Sequence, residues 1–230
     1  MQPFQAQLKP LNQTNMSPTR VISFIFLSIL AACGQNEVPE INPEARILND
    51  SALALIKSSK NEDYQKAISL LDKAIAIDSN YVRAYQNKLS FEFRLNQYDK
   101  ALLTSKSLNK LRPESANFLM MTGVLYEKNG DTVSSIQYFE NSLKKYNKIL
   151  DTMSVKTPGY FVLQMYKGIN LILLNQLAEG NKILKSLYDN QADEMYKEAL
   201  KPFLNSPRQN IIDNMFKQQK VTGTSPARQQ

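Results

Sequence analysis

An all-α, right-handed superhelical solenoid of about four helical hairpins, closed by C-terminal capping helices, is the fold class that this 230-residue sequence predicts. Three observations point to it. Small residues recur 34 positions apart at Ala67, Ala101 and Ser135, and turn residues do the same at Ser79, Pro113 and Asn147. Around these positions apolar residues follow the 3.6-residue period of amphipathic helices instead of strand alternation. A fixed period of that length marks an array of units, each of which buries its apolar face on the next.

The first 15 residues are polar, contain Pro3 and Pro10, and show no period. Met16 is the more natural start, because MSPTRVISFIFLSILAAC follows: Arg20 as the charged opening, then an apolar run from Val21 to Ala32. That run of 12 residues is too short to cross a bilayer as a helix. Leu30-Ala31-Ala32-Cys33 resembles the lipobox of bacterial lipoproteins. The resemblance implies diacylglyceryl transfer to Cys33 and cleavage before it. An ordinary secretory signal, or a buried apolar helix with an incidental thiol, are the alternatives the residues leave open. Gly34 stands where Asp would signal inner-membrane retention, which points to a periplasm-facing anchor in the outer membrane. The expected division is therefore a leader over 1–32, a tether over 33–42 that extends to about 30 Å, a repeat domain over 43–218, and a polar, disordered tail over 219–230.

Asn42 as N-cap, Pro43 at the first helical position and Glu44 in the first turn open a helix expected to reach Ser59. The clearest unit lies between Ala116 and Asn147. Helices are expected over 114–129 and 132–148, parted by Gly130 as helix stop and Asp131 as N-cap. Gly123 and Ser135 remove bulk where the two helices cross, and Tyr126 and Phe139 fill the remaining space. Leu119, Gly123, Tyr126, Ser135, Phe139 and Ser142 together resemble the tetratricopeptide repeat, a 34-residue helical hairpin. Ala74 and Ser142 keep the pattern with Leu108 between them, and Leu71 and Phe139 keep it with Ser105 between them, so that a large-for-small swap sits beside its converse. Leu55 and Leu89 replace the glycine in the first two hairpins, which are expected to cross at a wider spacing.

Gly168 and Gly180 repeat the spacing of Gly123 and Ser135, and Leu184 follows like Phe139. This fourth unit comes late because extra residues stand around Leu150 to Tyr160, read as a loop or a lengthened helix end with Pro158-Gly159 as the turn. Helices are expected over 160–174 and 177–189. Short ones follow over 193–204 and 208–217, interrupted by Pro202 and Pro207, and serve to cap the open end.

The chain has no histidine and one cysteine, which excludes internal disulfides, Cys/His zinc sites and histidine-based acid–base or nucleophilic schemes. The net charge of +7 is a mild excess. Lys106, Lys110, Lys144, Lys145 and Lys148 fall in the last turns of expected helices, and Glu62, Asp63, Glu114 and Asp131 at the starts, which complements helix dipoles instead of building a nucleic-acid patch. With no phosphate loop, metal-ligand cluster or nucleophile–base pair, the reading is a non-enzyme without cofactor or metal.

The tetratricopeptide resemblance implies a concave face lined by the first helix of each hairpin, on which such proteins commonly bind peptide segments. Helical spacing assigns that face Arg83, Gln86, Ser90 and Phe93 in the second hairpin, Asn117, Met120, Val124 and Glu127 in the third, and Val162, Met165, Ile169 and Ile172 in the fourth. Phe93, Met120, Val124 and Met165 are expected to receive apolar side chains of an extended partner while Arg83, Asn117 and Glu127 fix its direction; alternatively, the methionines fill gaps between repeats. The Lys/Asn pair of the subclass that clamps a terminal carboxylate is replaced by Gln86 with Ser90 and Met120 with Val124. The expected function is a membrane-anchored protein–protein interaction scaffold of the bacterial envelope, binding another envelope protein or a peptide segment and no nucleic acid. Pilus, secretin or outer-membrane protein assembly are roles that family analogy suggests. The other class considered is a small-ligand-binding or transport accessory lipoprotein, with the extra residues around 150–160 closing a pocket over the groove.

Overall fold

Capping and packing chemistry decide where each helix of this chain begins and stops. The computed structural model describes residues 40–56 and 60–216; the leader, Cys33 and the polar tail lie outside them. The described residues form ten helices and no strand. In order they are α1 (Pro43–Leu55), α2 (Asn61–Ile77), α3 (Val82–Arg94), α4 (Tyr98–Leu111), α5 (Ala116–Lys128), α6 (Thr132–Thr152), α7 (Tyr160–Leu173), α8 (Leu177–Asn190), α9 (Glu194–Leu200) and α10 (Arg208–Phe216). Consecutive pairs α1–α2, α3–α4, α5–α6 and α7–α8 make four hairpins, and each second helix packs on the next first helix, which is the neighbour-to-neighbour order of a solenoid.

Asn42 caps α1 as expected, its Oδ1 accepting from the N–H groups of Glu44 at 2.9 Å and Ala45 at 3.4 Å, with Pro43 where no N–H partner is needed. Asp131 caps α6 through the N–H of Ser134 at 2.9 Å. Three hairpin turns close alike. Asn96, Gly130 and Asn175 are left-handed, with φ of 55°, 81° and 62°, and the next residue's N–H returns to a carbonyl of the last turn: Gln97 to Glu92, Asp131 to Tyr126, Gln176 to Leu171, at 2.8–2.9 Å. This is the Schellman closure of a helix end, in which a left-handed residue lets orphan carbonyls be satisfied.

The repeat positions are where the hairpins meet. Ala67, Ala101, Ser135 and Gly180 are all buried, as are Ala74, Leu108 and Ser142, and Leu71, Ser105, Phe139 and Leu184. Phe139 takes the space that Gly123 vacates: a Cβ there would stand 2.6 Å from the ring. Ser142 donates its hydroxyl to the Ala116 carbonyl at 2.8 Å, a bond from the second helix to the start of the first. Between hairpins, Asn87 on α3 donates to Asn49 on α1 at 2.7 Å with both side chains buried. Leaving such an amide unpaired costs about 1–3 kcal/mol, so this bond fixes how the first two hairpins register.

Of the loop and the lengthened helix end expected around residues 150–160, the structure forms the lengthened end. α6 runs on to Thr152 because Tyr146 and Leu150 are buried on the core. Lys144, Lys145 and Lys148 therefore stand inside the helix, away from its last turn, and Lys145 pairs with Glu114 at 2.5 Å. The residues after Thr152 form the turn into α7, where Gly159 is left-handed with φ of 89°. The C-terminal helices differ from expectation. α9 ends at Leu200 because Pro202 lacks an N–H and crowds the preceding turn. α9 packs on α8 as a cap does, but α10 folds back onto α7.

Candidate functional site

Along the first helices, the stripe expected to form the groove divides into an open and a closed half. On α3, Arg83 and Ser90 are exposed and Gln86 is partly buried; the Ser90 hydroxyl donates to the Gln86 carbonyl at 3.0 Å. Phe93 is partly buried at the end of this stretch, its ring edge-on to Tyr98 with centroids 6.3 Å apart. These four residues lie one helical turn after another on a single face.

On α5 and α7 the same stripe is interior. Met120, Val124 and Ile169 are fully buried, Met165 and Val162 nearly so, and Ile172 is fully buried. They offer no open surface to an extended partner, and that part of the expected site is corrected: these side chains are buried within the chain itself. Asn117 accepts from the Tyr146 hydroxyl at 2.5 Å, and the same hydroxyl lies 3.9 Å from the Met120 sulfur. Burial raises the Tyr146 phenol well above its ordinary pKa, and it raises Tyr166 beside it. Glu127 is held by Arg208 of α10, with Oε1 2.9 Å from Nη1. Cys33 lies outside the described residues.

Helical spacing finds the stripe next to the core on one helix, but it does not show which distant segment lies over it. Two distant parts meet this one: Tyr146 of α6, whose hydroxyl lies against Asn117 and Met120, and the C-terminal segment, which packs on α7 and whose Phe203, Ile211 and Ile212 belong to the same buried core as Met165 and Ile169. A signal was present. α7 reads YFVLQMYKGINLIL, with Lys167 as its one charge, and a helix that is apolar on all sides is covered on all sides.

The Arg208 guanidinium, through its hydrogen bond, holds the Glu127 carboxyl below the usual carboxylate range against the opposing effect of burial. Because the folded value is depressed, the stability of this pair is complete above the unfolded value and is lost as pH falls through the folded one. Glu92 on α3 behaves in the opposite sense. It is 1% exposed, burial raises its pKa, and Thr104 and Lys88 only partly offset that. Its Oε1 stands 3.8 Å from the Lys88 ammonium while Oε2 has no partner. A carboxylate with a raised folded value costs stability above that value and regains it as pH falls toward the unfolded one. Glu92→Gln is accordingly expected to raise the melting midpoint at neutral pH, with the gain shrinking as pH falls below the folded value; melts across a pH series measure it.

Two shallow depressions lie elsewhere, of about 400 Å³ lined by Pro113, Leu119, Asn141 and Lys144, Lys145 and Lys148, and about 450 Å³ between α6 and the α7–α8 turn. Residues 150–160 line neither. Among the described residues no group of three acidic, cysteine or histidine side chains converges as a metal would require.

A TPR repeat-containing protein of Methanocaldococcus jannaschii is 24% identical to the chain over 163 residues, which is 66% of this chain and 29% of that relative, so the chain spans less than a third of its length. Among solved structures, PilW, described as a widely conserved type IV pilus biogenesis factor, aligns with a TM-score of 0.47 at 20% identity over 66% of this chain and 64% of that one. MamA (41-end) from Desulfovibrio magneticus RS-1 aligns at 0.44 with 16% identity over 63% and 74%. No protein-family model matches the chain. The solenoid of helical hairpins described above rests on the chain's own helix pairs, turns and buried repeat positions.

Proposed function

We propose that the chain is a protein–protein interaction scaffold, anchored through a lipid on Cys33 to the periplasm-facing side of a bacterial membrane, the outer one in cells with two. It holds a segment of another envelope protein in the open half of its concave face. The observation that carries this reading is the Arg83–Gln86–Ser90 stripe of α3, a polar and cationic face on which Arg83 and Ser90 are exposed and Gln86 is partly so. Such a surface suits a segment with carboxylate or amide groups, with Phe93 at its apolar end. Assembly of an envelope complex such as a pilus or secretin is the role this architecture best serves, by analogy of fold.

A photo-crosslinking residue at position 86 tests it in cells, with position 103, exposed on the second helix α4, as control. One discrete adduct from 86 and none from 103 supports the reading, and adducts from 103 alone move the partner to the convex side. For the anchor, Cys33→Ala is expected to abolish incorporation of a fatty-acid label and to release the chain from membranes, since acyl chains supply about 0.8 kcal/mol per buried CH₂. Among the described residues no helix is long and apolar enough to cross a membrane. Equal labelling of both proteins would remove the lipid from this account.

A further inference from the structure

In a solenoid each unit touches only its neighbours, yet Arg208, beyond the fourth hairpin, reaches back to the third. Its Nη1 pairs with Glu127 of α5 at 2.9 Å and its Nε donates to the Leu173 carbonyl of α7 at 2.8 Å. Both acceptors stand at the C-terminal ends of first helices, where unpaired carbonyls and the helix dipole favour a cation. Arg208 thus stands where the ends of two first helices adjoin, and α10 runs from there packed on α7. One turn further on, Ile211 and Ile212 are buried in the cluster that holds Met120, Val124, Met165 and Ile169, and Met215 packs against it. Gln209, Asn210 and Asp213 face outward. The spacing 208, 211, 212, 215 is that of an amphipathic helix laid in a groove. It is joined to the solenoid through a turn with left-handed Asn205, followed by Pro207.

We propose that α10 is a tethered stand-in for a partner: the α5–α7 half of the groove takes a short amphipathic helix carrying arginine one turn ahead of two branched apolar residues, and a partner with that pattern displaces α10. This rests on the reading that the concave face is where partners bind. Charge and shape both follow from what occupies the groove now, a guanidinium on Glu127 and two isoleucines on an apolar floor. A tethered helix competes at an effective concentration in the millimolar range, so the free chain is mostly closed and the apparent affinity for an incoming helix falls by the open fraction.

The probe is a labelled peptide of residues 206–216, titrated by fluorescence anisotropy into the full chain. Arg208→Ala, which loosens α10 without touching the isoleucines, is expected to bind it at least tenfold more tightly than the wild type. A peptide with glutamate in place of arginine is expected to lose that binding and to regain it on the Glu127→Arg chain. Hydrogen exchange is expected to show α10 opening faster than α5 and α7, and faster still in Arg208→Ala. Protection of α10 equal to that of α7, absence of peptide binding by both variant chains, or loss of the cooperative melt on Arg208→Ala would each overturn the proposal by making α10 part of the fixed core. The peptide assay needs no cellular partner: if it succeeds while position 86 captures nothing, the scaffold reading fails and the groove assignment stands.

Discussion

Gly180→Leu is expected to melt the fourth hairpin while the first two stay folded. A Cβ at residue 180 would stand 2.6 Å from the Gly168 carbonyl oxygen, 2.6 Å from Ile172 Cγ1 and 3.2 Å from the Ile172 nitrogen. Two of these atoms are backbone, so no rotamer change relieves the contact and α7 must part from α8. At Gly123 the nearest atoms belong to the Phe139 ring, at 2.6 and 2.7 Å, and a ring can tilt at side-chain cost before the backbones separate. Overpacking of a close helix crossing costs about 3 kcal/mol or more in the unyielding case, which lowers the melting midpoint by about 6–12 °C for a chain of this size. Gly123→Leu is expected to fall short of that. Because stability in a solenoid is nearly a sum of units and nearest-neighbour interfaces, hydrogen exchange should lose protection in α7 to α10 and keep it in α1 to α4. An unchanged midpoint, or uniform loss across all helices, would contradict the crossing described here.

The same reasoning explains how far the residues alone reach. Positions repeated at 34 residues fall at helix crossings, and a crossing accepts only a narrow range of volumes, so Ala67, Ala101, Ser135 and the Ser105–Leu108 exchange are legible without coordinates and are all buried. Gly130 is legible as a helix stop because glycine favours the left-handed region. Asn96 and Asn175 serve the same turn at the matching places of their hairpins, and asparagine is the residue that next best tolerates that conformation. They pass unnoticed because asparagine also sits comfortably on helix surfaces. The residues alone leave the end of α6 open between a loop and a lengthened helix, and the choice is tertiary: Asp151 and Thr152 favour a break, but burial of Tyr146 and Leu150, each worth about 1.5–3 kcal/mol, carries the helix past the period.

The groove was half legible, and the division follows from which contacts are local. The α3 stripe depends on α3 and its neighbours, and its polar residues stay outside as their chemistry dictates. The α5 stripe ends on a contact that is not local: the partner of Glu127 is Arg208, 81 residues away. Glu127 was assigned to partner recognition and does meet a guanidinium, but the arginine belongs to its own chain. A charge at the edge of an apolar stripe is the same signal whether its partner is internal or external.

Met120→Asp separates the two arrangements. It is expected to destabilise the chain by about 3–5 kcal/mol at neutral pH, the cost of a charge buried without a partner. Met120 is fully buried, and the Tyr146 hydroxyl, 3.9 Å from its sulfur, already donates to Asn117 at 2.5 Å. A carboxylate placed there would have one engaged hydroxyl to turn to, so its folded pKa would be raised and its cost would be complete above that value and shrink as pH falls toward about 4. Arg83→Glu, on the exposed half, is expected to shift stability by no more than about 0.5 kcal/mol while reversing the charge a partner meets. Denaturant midpoints of both variants at pH 7, and of Met120→Asp again in acid, measure this. A Met120→Asp chain that keeps the wild-type midpoint would mean that the α5–α7 stripe opens to water, and α10 could then not be its occupant.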